Sequence, residues 1–141
     1  RLYGFKMGLS EAEYHPEVLD VRYGNFTRES GYAKAKAALS DRSYDAVFAA
    51  NDQIALGALQ YCREAGLRVP EDMAITGFDD SYFSEFLSPS LTTVRQPMHD
   101  IGAVAMETIM KILELGGTRE HQVILPTRLM VRQSCGCSSG V

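Results

Sequence analysis

Apolar residues recur along this chain in two periods, one helical and one extended, that take turns from the first residue onward. Leu2, Phe5 and Leu9 fall at helical spacing and predict a helix over about residues 1–12. Pro16 breaks it. Val18, Leu19 and Val21 then make a short strand-like run that ends at Gly24-Asn25. Thr27 stands where it can cap a second helix, whose buried face carries Tyr32, Ala35 and Leu39. A polar turn over 40–43 leads into Ala46-Val47-Phe48-Ala49-Ala50, a continuous apolar run of the kind that forms a strand covered on both faces. A helix over about 52–65 follows. Gly66 reads as the glycine just past its end, and Pro70 blocks its continuation. Residues 73–78 repeat the buried-strand pattern, and 79–90 read as an irregular loop. A short strand-like piece over 91–95 precedes Pro97, which opens a long helix to about Leu115, stopped by Gly116-Gly117. Residues 123–125 and 128–131 read as two strands around Pro126-Thr127.

The order is α-β-α-β-α-β, then a crossing segment, a helix and two strands. Such alternation predicts an α/β fold, a parallel sheet with helices on both faces. Two helices carry more apolar surface than one sheet can cover. In the helix at 52–65, Ile54, Ala55, Ala58, Leu59, Tyr61, Cys62 and Ala65 span about 160° of arc, against the usual stripe of about 100°. The helix at 97–115 has a stripe of Ile101, Val104, Ala105, Ile109 and Ile112, widened by Met106, Met110 and Leu113. Packing within the chain or burial against another subunit or subdomain would each account for the excess.

The chain has 141 residues, 45% of them hydrophobic and 23% charged, which is the balance of one globular domain with a real core. A net charge of -4, with no cluster of Lys and Arg, makes the chain itself a poor ligand for nucleic acid. No apolar run approaches the roughly 18 residues of a membrane span, and no targeting segment opens the chain, so a cytoplasmic location is expected. The first residue is Arg1 and a helical pattern starts at once, which suggests a piece of a longer protein. Three cysteines, Cys62, Cys135 and Cys137, are too few and too oddly numbered for a disulfide framework. Cys135-Gly136-Cys137 reads either as ordinary reduced thiols or as a metal or redox pair; no second ligand pair accompanies it, and no metal site is expected. His15, His99 and His121 stand far apart.

Ligands of open parallel sheets bind outside the carboxyl ends of the strands. Three such ends deliver Asn25-Phe26-Thr27, Asn51-Asp52 and Asp79-Asp80. Amide and carboxylate groups around an aromatic ring suit a small polar ligand with an apolar face, such as a sugar or a nucleobase. Asp52 reads first as the N-cap of its helix, and Asp80 as a turn or cap residue. Phe26 divides between core and site. Asn51 and Asp79 directly follow buried strands and are the better site candidates. No GxSxG elbow, HExxH or P-loop is present, and no catalytic residue or cofactor is expected.

At this point several motifs stand in a recognisable order. Ala49-Ala50-Asn51-Asp52-Gln53-Ile54-Ala55-Leu56-Gly57 resembles the AND-x-x-A-x-G motif of the lactose/galactose-repressor family. Arg68-Val69-Pro70-Glu71-Asp72 with Thr76-Gly77-Phe78-Asp79-Asp80 resembles its VP-x-D and GFDD motifs, and Pro89-Ser90-Leu91-Thr92-Thr93-Val94-Arg95-Gln96-Pro97 its P-x-LTTV-x-QP segment. Arg132-Gln133-Ser134 resembles the terminal R-x-S, and Arg1 with Gly4 and Gly8 the start of the family's C-terminal half. The resemblance covers nearly the whole chain.

It implies a class I periplasmic-binding-protein-like fold, of which this chain would be the C-terminal subdomain (1–90 and 120–135). The crossing segment and helix at 91–119 would then pack on an N-terminal subdomain outside the chain, and the return over 116–121 would bring the last strands back. Arg1, Phe26, Asn51 and Asp79 match the family's effector-contacting positions in this half. Arg1 would make charged hydrogen bonds to ligand hydroxyls or a carboxylate, Phe26 would stack on the ring, and Asn51 and Asp79 would take hydroxyls or ring N–H groups. The implied partners are a small-molecule effector, a second copy meeting this one through about 52–65 and 81–88, and DNA bound only by a module that this chain lacks. The continuing Cys-Gly-Cys also resembles sensor domains joined to signalling modules. A sugar-binding protein for transport is a further alternative.

Overall fold

The computed structural model describes residues 1–15, 17, 19–40, 44–115 and 122–137. In chain order it forms α1 (Leu2–Glu11), α2 (Arg28–Leu39), β1 (Ala46–Phe48), α3 (Asp52–Glu64), β2 (Ala74–Thr76), β3 (Thr93–Arg95), α4 (Met98–Leu115) and β4 (Arg128–Met130), followed by a 3₁₀ turn at Gln133–Cys135. Predicted Pro16, Val18, the turn at 41–43, Gly116-Gly117, His121 and the tail from 138 lie outside the described residues.

The parallel sheet is built as the alternation predicts. β1 and β2 pair in parallel, with Val47 opposite Ile75. β3 joins β2 through parallel bridges at Thr76–Thr92 and Asp79–Arg95, closed by Gly77 N–H to Thr92 O (2.8 Å) and Asp79 N–H to Val94 O (2.9 Å). β4 adds antiparallel to β3. The core gathers under this sheet from Ala35, Ala49, Ala55, Ala58, Leu59, Cys62, Met73, Ile75 and Leu91. Burying a side chain such as Ile75 or Leu91 stabilises the fold by about 1.5–3 kcal/mol.

Caps fix where the helices start. The Thr27 hydroxyl accepts from Ser30 N–H at 3.2 Å, as predicted for α2. For α3 the cap is Asn51, whose Oδ1 accepts from Ile54 N–H at 2.9 Å, and not Asp52. An extended residue at the strand end can turn its side chain back on the first helical turn. Asp52 already has helical backbone and points inward. Gly66, with φ of 73°, closes the other end of α3 as expected. α2 and α3 cross at two glycines. A Cβ on Gly57 would overlap the backbone of Arg28 and Tyr32, and one on Gly31 the backbone of Ile54.

Two predicted strands do not form. Residues 19–25 run without ladder bonds, although their composition suits a strand. Pairing needs backbones about 4.8 Å apart, and a cavity of about 700 Å³ is lined both by residues 19–24 and by β1, roofed by α1 and α2. Residues 123–125 also carry no ladder partner, and only 128–130 of the following run pairs. α4 keeps Met106, Ile109, Met110 and Leu113 exposed, so its wide apolar face is uncovered here. Among the described residues no helix is long and apolar enough to cross a membrane.

Candidate ligand-binding site

The carboxyl ends of β1 and β2 deliver Asn51 and Asp79 side by side with Arg1. Past Thr76 the chain continues through Gly77 and Phe78, and Asp79 adopts φ of 112°. Phe26 (φ 64°) and Asp80 (φ 52°) share this left-handed backbone. Such backbone costs a non-glycine residue of the order of 1 kcal/mol or more, and it concentrates at functional sites.

Arg1 ties the strand ends together. Its Nη1 donates to Ala50 O at 2.6 Å and its Nη2 to Asp79 Oδ1 at 2.9 Å, while its guanidinium lies 4.2 Å from the centre of the Phe78 ring. Gln96 Nε2 donates to the same Oδ1 at 2.6 Å. Among the described residues nothing donates to Asp79 Oδ2. The carboxylate is about one-third exposed, at 32%, as is Arg1 at 34%. Its orientation is therefore set by the protein through one oxygen, and the other is open to an incoming donor.

Asn51 is partly committed. Besides capping α3, its Nδ2 donates to Phe26 O at 3.0 Å. A carboxamide has two donor hydrogens and two acceptor lone pairs, so one of each is left for a ligand. The bond also anchors the Phe26 backbone, whose side chain stands 59% exposed at the mouth of the cavity that Arg1 and Ala50 line. Arg1 with Asp79 and Asn51 with Phe26 thus form two hydrogen-bonded pairs at the strand ends, connected through Ala50, which accepts from Arg1 and precedes Asn51.

Behind this rim lies a polar knot. Asp52 is fully buried and takes three donors: Ser81 N–H (2.6 Å) and Ser84 Oγ (2.8 Å) on Oδ2, and Thr93 Oγ1 (2.6 Å) on Oδ1. Gly77 makes room for it, because a Cβ there would overlap Asp52 Oδ1. Asp80 was expected in a turn and is instead an ion-pair centre. Arg132 Nη2 reaches its Oδ1 at 2.7 Å and Arg95 Nε its Oδ2 at 2.5 Å, with the side chain only 4% exposed. Burial pushes the Asp80 carboxyl up, but the hydrogen bonds and charges of Arg132 and Arg95 outweigh it and hold the group below the ordinary carboxylate range. Arg132 also donates to Leu91 O at 2.8 Å, locking the C-terminal segment to the loop before β3.

Three contributors escaped the sequence reading: Gln96, Phe78 and the Ala50 carbonyl. Gln96 left one signal, since it is the polar residue that closes the strand-like piece beside Asp79. A backbone carbonyl leaves none. The hydroxyls of Ser84 and Thr93 are already spent on Asp52. Among the described residues no group of three His, Cys, Asp or Glu could hold a metal ion. The arrangement suits reversible binding of a polar ligand: an open carboxylate oxygen, a positioned amide and guanidinium, and an exposed aromatic ring.

Comparison with known proteins gives a consistent set. Residues 1–135 match the model of the periplasmic binding protein-like domain. The chain is 40% identical over 136 residues to the HTH-type transcriptional regulator CelR of Thermobifida fusca, covering 95% of this chain and 40% of that protein. It superposes on a transcriptional regulator CelR–cellobiose complex with a TM-score of 0.86 at 37% identity, over 94% of this chain and 41% of the other. A LacI family transcriptional regulator from Enterococcus faecium with bound ribose gives 0.85 at 30% identity, over 94% of this chain and 49% of that one. The chain therefore spans about two-fifths of the length of the curated relatives it matches.

Proposed function

The chain belongs to the periplasmic binding protein-like domain family, in the form carried by LacI-type regulators, and from that premise we propose that it is the C-terminal half of the effector-binding domain of a cytoplasmic transcriptional regulator. The effector is a small polar ring compound, a sugar or a nucleobase-bearing molecule. Asp79 takes its hydroxyl or N–H groups on the open oxygen, Arg1 and Asn51 add hydrogen bonds, and Phe26 covers the apolar face of the ring. The observation that carries this reading is the Asp79 carboxylate, held on one oxygen by Arg1 and Gln96 and open on the other. The sugars bound by the two related regulators, cellobiose and ribose, fit that chemistry.

The action is a population shift. Effector bound between this half and a preceding subdomain favours one relative orientation of the two, and a dimer passes the difference to a DNA-binding module. In this arrangement 1–90 and 120–135 form one subdomain, and α4 packs on the other. The exposed apolar face of α4 supports that division, and exposed Tyr82 and Phe86 in the loop at 81–88 support its use with α3 in a dimer.

The test is calorimetric titration of the intact protein with a panel that includes cellobiose, ribose and nucleosides. Asp79→Ala is expected to weaken the best binder at least about tenfold, the scale of one lost charged hydrogen bond. It should do so while the protein stays folded. Unchanged affinity would remove Asp79 from the site.

A further inference from the structure

Cys135 and Cys137 lie outside the ligand cluster and are presented by a stiff turn. Ser134, fully buried, donates through Oγ to Ile75 O at 2.6 Å and accepts from Thr92 N–H at 2.9 Å, while its own N–H reaches Ser90 O at 3.0 Å. This pins the start of the turn to β2 and to the segment before β3. Cys135 follows, half-buried. Gly136 then takes φ of 73° and ψ of 0°, reversing the chain beside Pro70. The reversal aims Cys137 N–H at the Cys135 sulfur, 3.4 Å away, and leaves Cys137 exposed. From that nitrogen the Cys137 sulfur is three bonds further on. Closing the pair would need only the exposed Cys137 side chain to turn back toward a sulfur already 3.4 Å from its own nitrogen, to an S–S bond of about 2.05 Å.

We propose that Cys135 and Cys137 form a redox-active dithiol that exchanges with low-molecular-weight disulfides of the glutathione class and closes to an intramolecular disulfide across Gly136. The Cys135 thiol, which donates to Arg132 O at 3.5 Å, gives its proton to water, and the thiolate attacks one sulfur of the disulfide, whose S–S bond breaks. A mixed disulfide forms on Cys135 and one thiolate leaves. Cys137 gives its proton to water and attacks the Cys135 sulfur, forming the internal bond and releasing the second thiolate. The two protein thiols are oxidised and the small disulfide is reduced to two thiols.

The electrostatics agree with this order of attack. Burial pushes the Cys135 thiol up, but hydrogen bonding by its polar neighbours, the Cys137 N–H at 3.4 Å among them, outweighs it and holds the thiol below its ordinary value. The hydrogen bond and charge of Cys135 push Cys137 up. Cys62 is buried in the core, away from small reagents, and burial pushes its thiol up as well.

The experiment treats the intact protein with glutathione disulfide, blocks free thiols, and maps the peptide that begins after Arg132. The expected product is a peptide that has lost two hydrogens and carries no alkyl group, restored by a thiol reductant. Cys137→Ser should trap the mixed disulfide on Cys135, at least about tenfold faster than Cys135→Ser forms one on Cys137. A wild-type product that stops at the mixed disulfide, or links two chains through Cys137, would overturn the internal bond. Faster reaction in Cys135→Ser would overturn the assignment of the attacking sulfur. Circular dichroism of both serine variants separates these outcomes from loss of fold.

Discussion

Asn51-Asp52 and Asp79-Asp80 end β1 and β2 in the same way, with one polar residue followed by an aspartate. In both pairs the first residue faces the rim and the second has its side chain buried. Asn51 and Asp79 keep unused hydrogen-bonding capacity at the surface. Asp52 and Asp80 spend theirs on the protein, the first on two hydroxyls and an N–H, the second on two guanidinium groups. The backbone turns sharply at each pair, into the helix at Asp52 and through left-handed angles at Asp79 and Asp80, so a single step separates a group that can meet a ligand from one that holds two loops and a strand together. Residue type alone cannot make that division, since both sides use aspartate.

The largest break in this comparison should come from Asp52→Ala. Two buried hydroxyls and a part-buried N–H would lose their carboxylate acceptor, and urea unfolding should register a loss of about 3–5 kcal/mol. A loss below about 1 kcal/mol would mean that the knot is not structural. Next comes Gly77→Ala, whose methyl group would meet the Asp52 carboxylate. A loss of about 1–3 kcal/mol is expected, and it should shrink when Asp52 is already alanine, because the two changes share one contact.

Asp80 sharpens the contrast through pH. Its folded pKa lies below the unfolded value of about 3.9, so its stabilisation is complete above that pH and drains away as pH falls through the folded value. Asp80→Asn should flatten this acid limb of the stability curve, and an unchanged limb would assign the acid sensitivity elsewhere. The smallest effect belongs to Asp79→Ala. Its ion pair is one-third exposed on both sides, and thermal unfolding should show less than about 1 kcal/mol. The same substitution should cost at least about tenfold in effector affinity. The two variants Asp52→Ala and Asp79→Ala therefore divide stability from binding.

Much of the architecture was legible before any coordinates. The helices at 2–11, 28–39, 52–64 and 98–115 follow the apolar period closely, and Thr27 and Gly66 act as the caps their types suggest. The buried strands at 46–48 and 74–76 sit inside their apolar runs. The stretch at 19–25 shows where that reading stops. A strand exists only when another backbone stands at pairing distance, and residues 19–24 share a cavity with β1 and make no ladder bonds to it. At the candidate site, Phe26, Asn51 and Asp79 are legible from their places at strand ends, and the family resemblance adds Arg1. The roles of Asn51 and Asp52 at the helix start were exchanged, because either residue can cap and only the backbone angle at the strand end chooses between them.

By itself, the sequence determined what depends on short range: the periods, the caps, the breaks at glycine and proline, and the motifs that name the family. The tertiary structure alone decided which of two adjacent polar residues is buried. It also decided which oxygen of Asp79 is occupied, and that Arg95 and Arg132 converge on Asp80. Those outcomes depend on groups as far apart in the chain as Arg1 and Asp79, or Asp80 and Arg132. Burial, ion pairing and hydrogen-bond saturation are properties of that long-range assembly, and no local pattern encodes them.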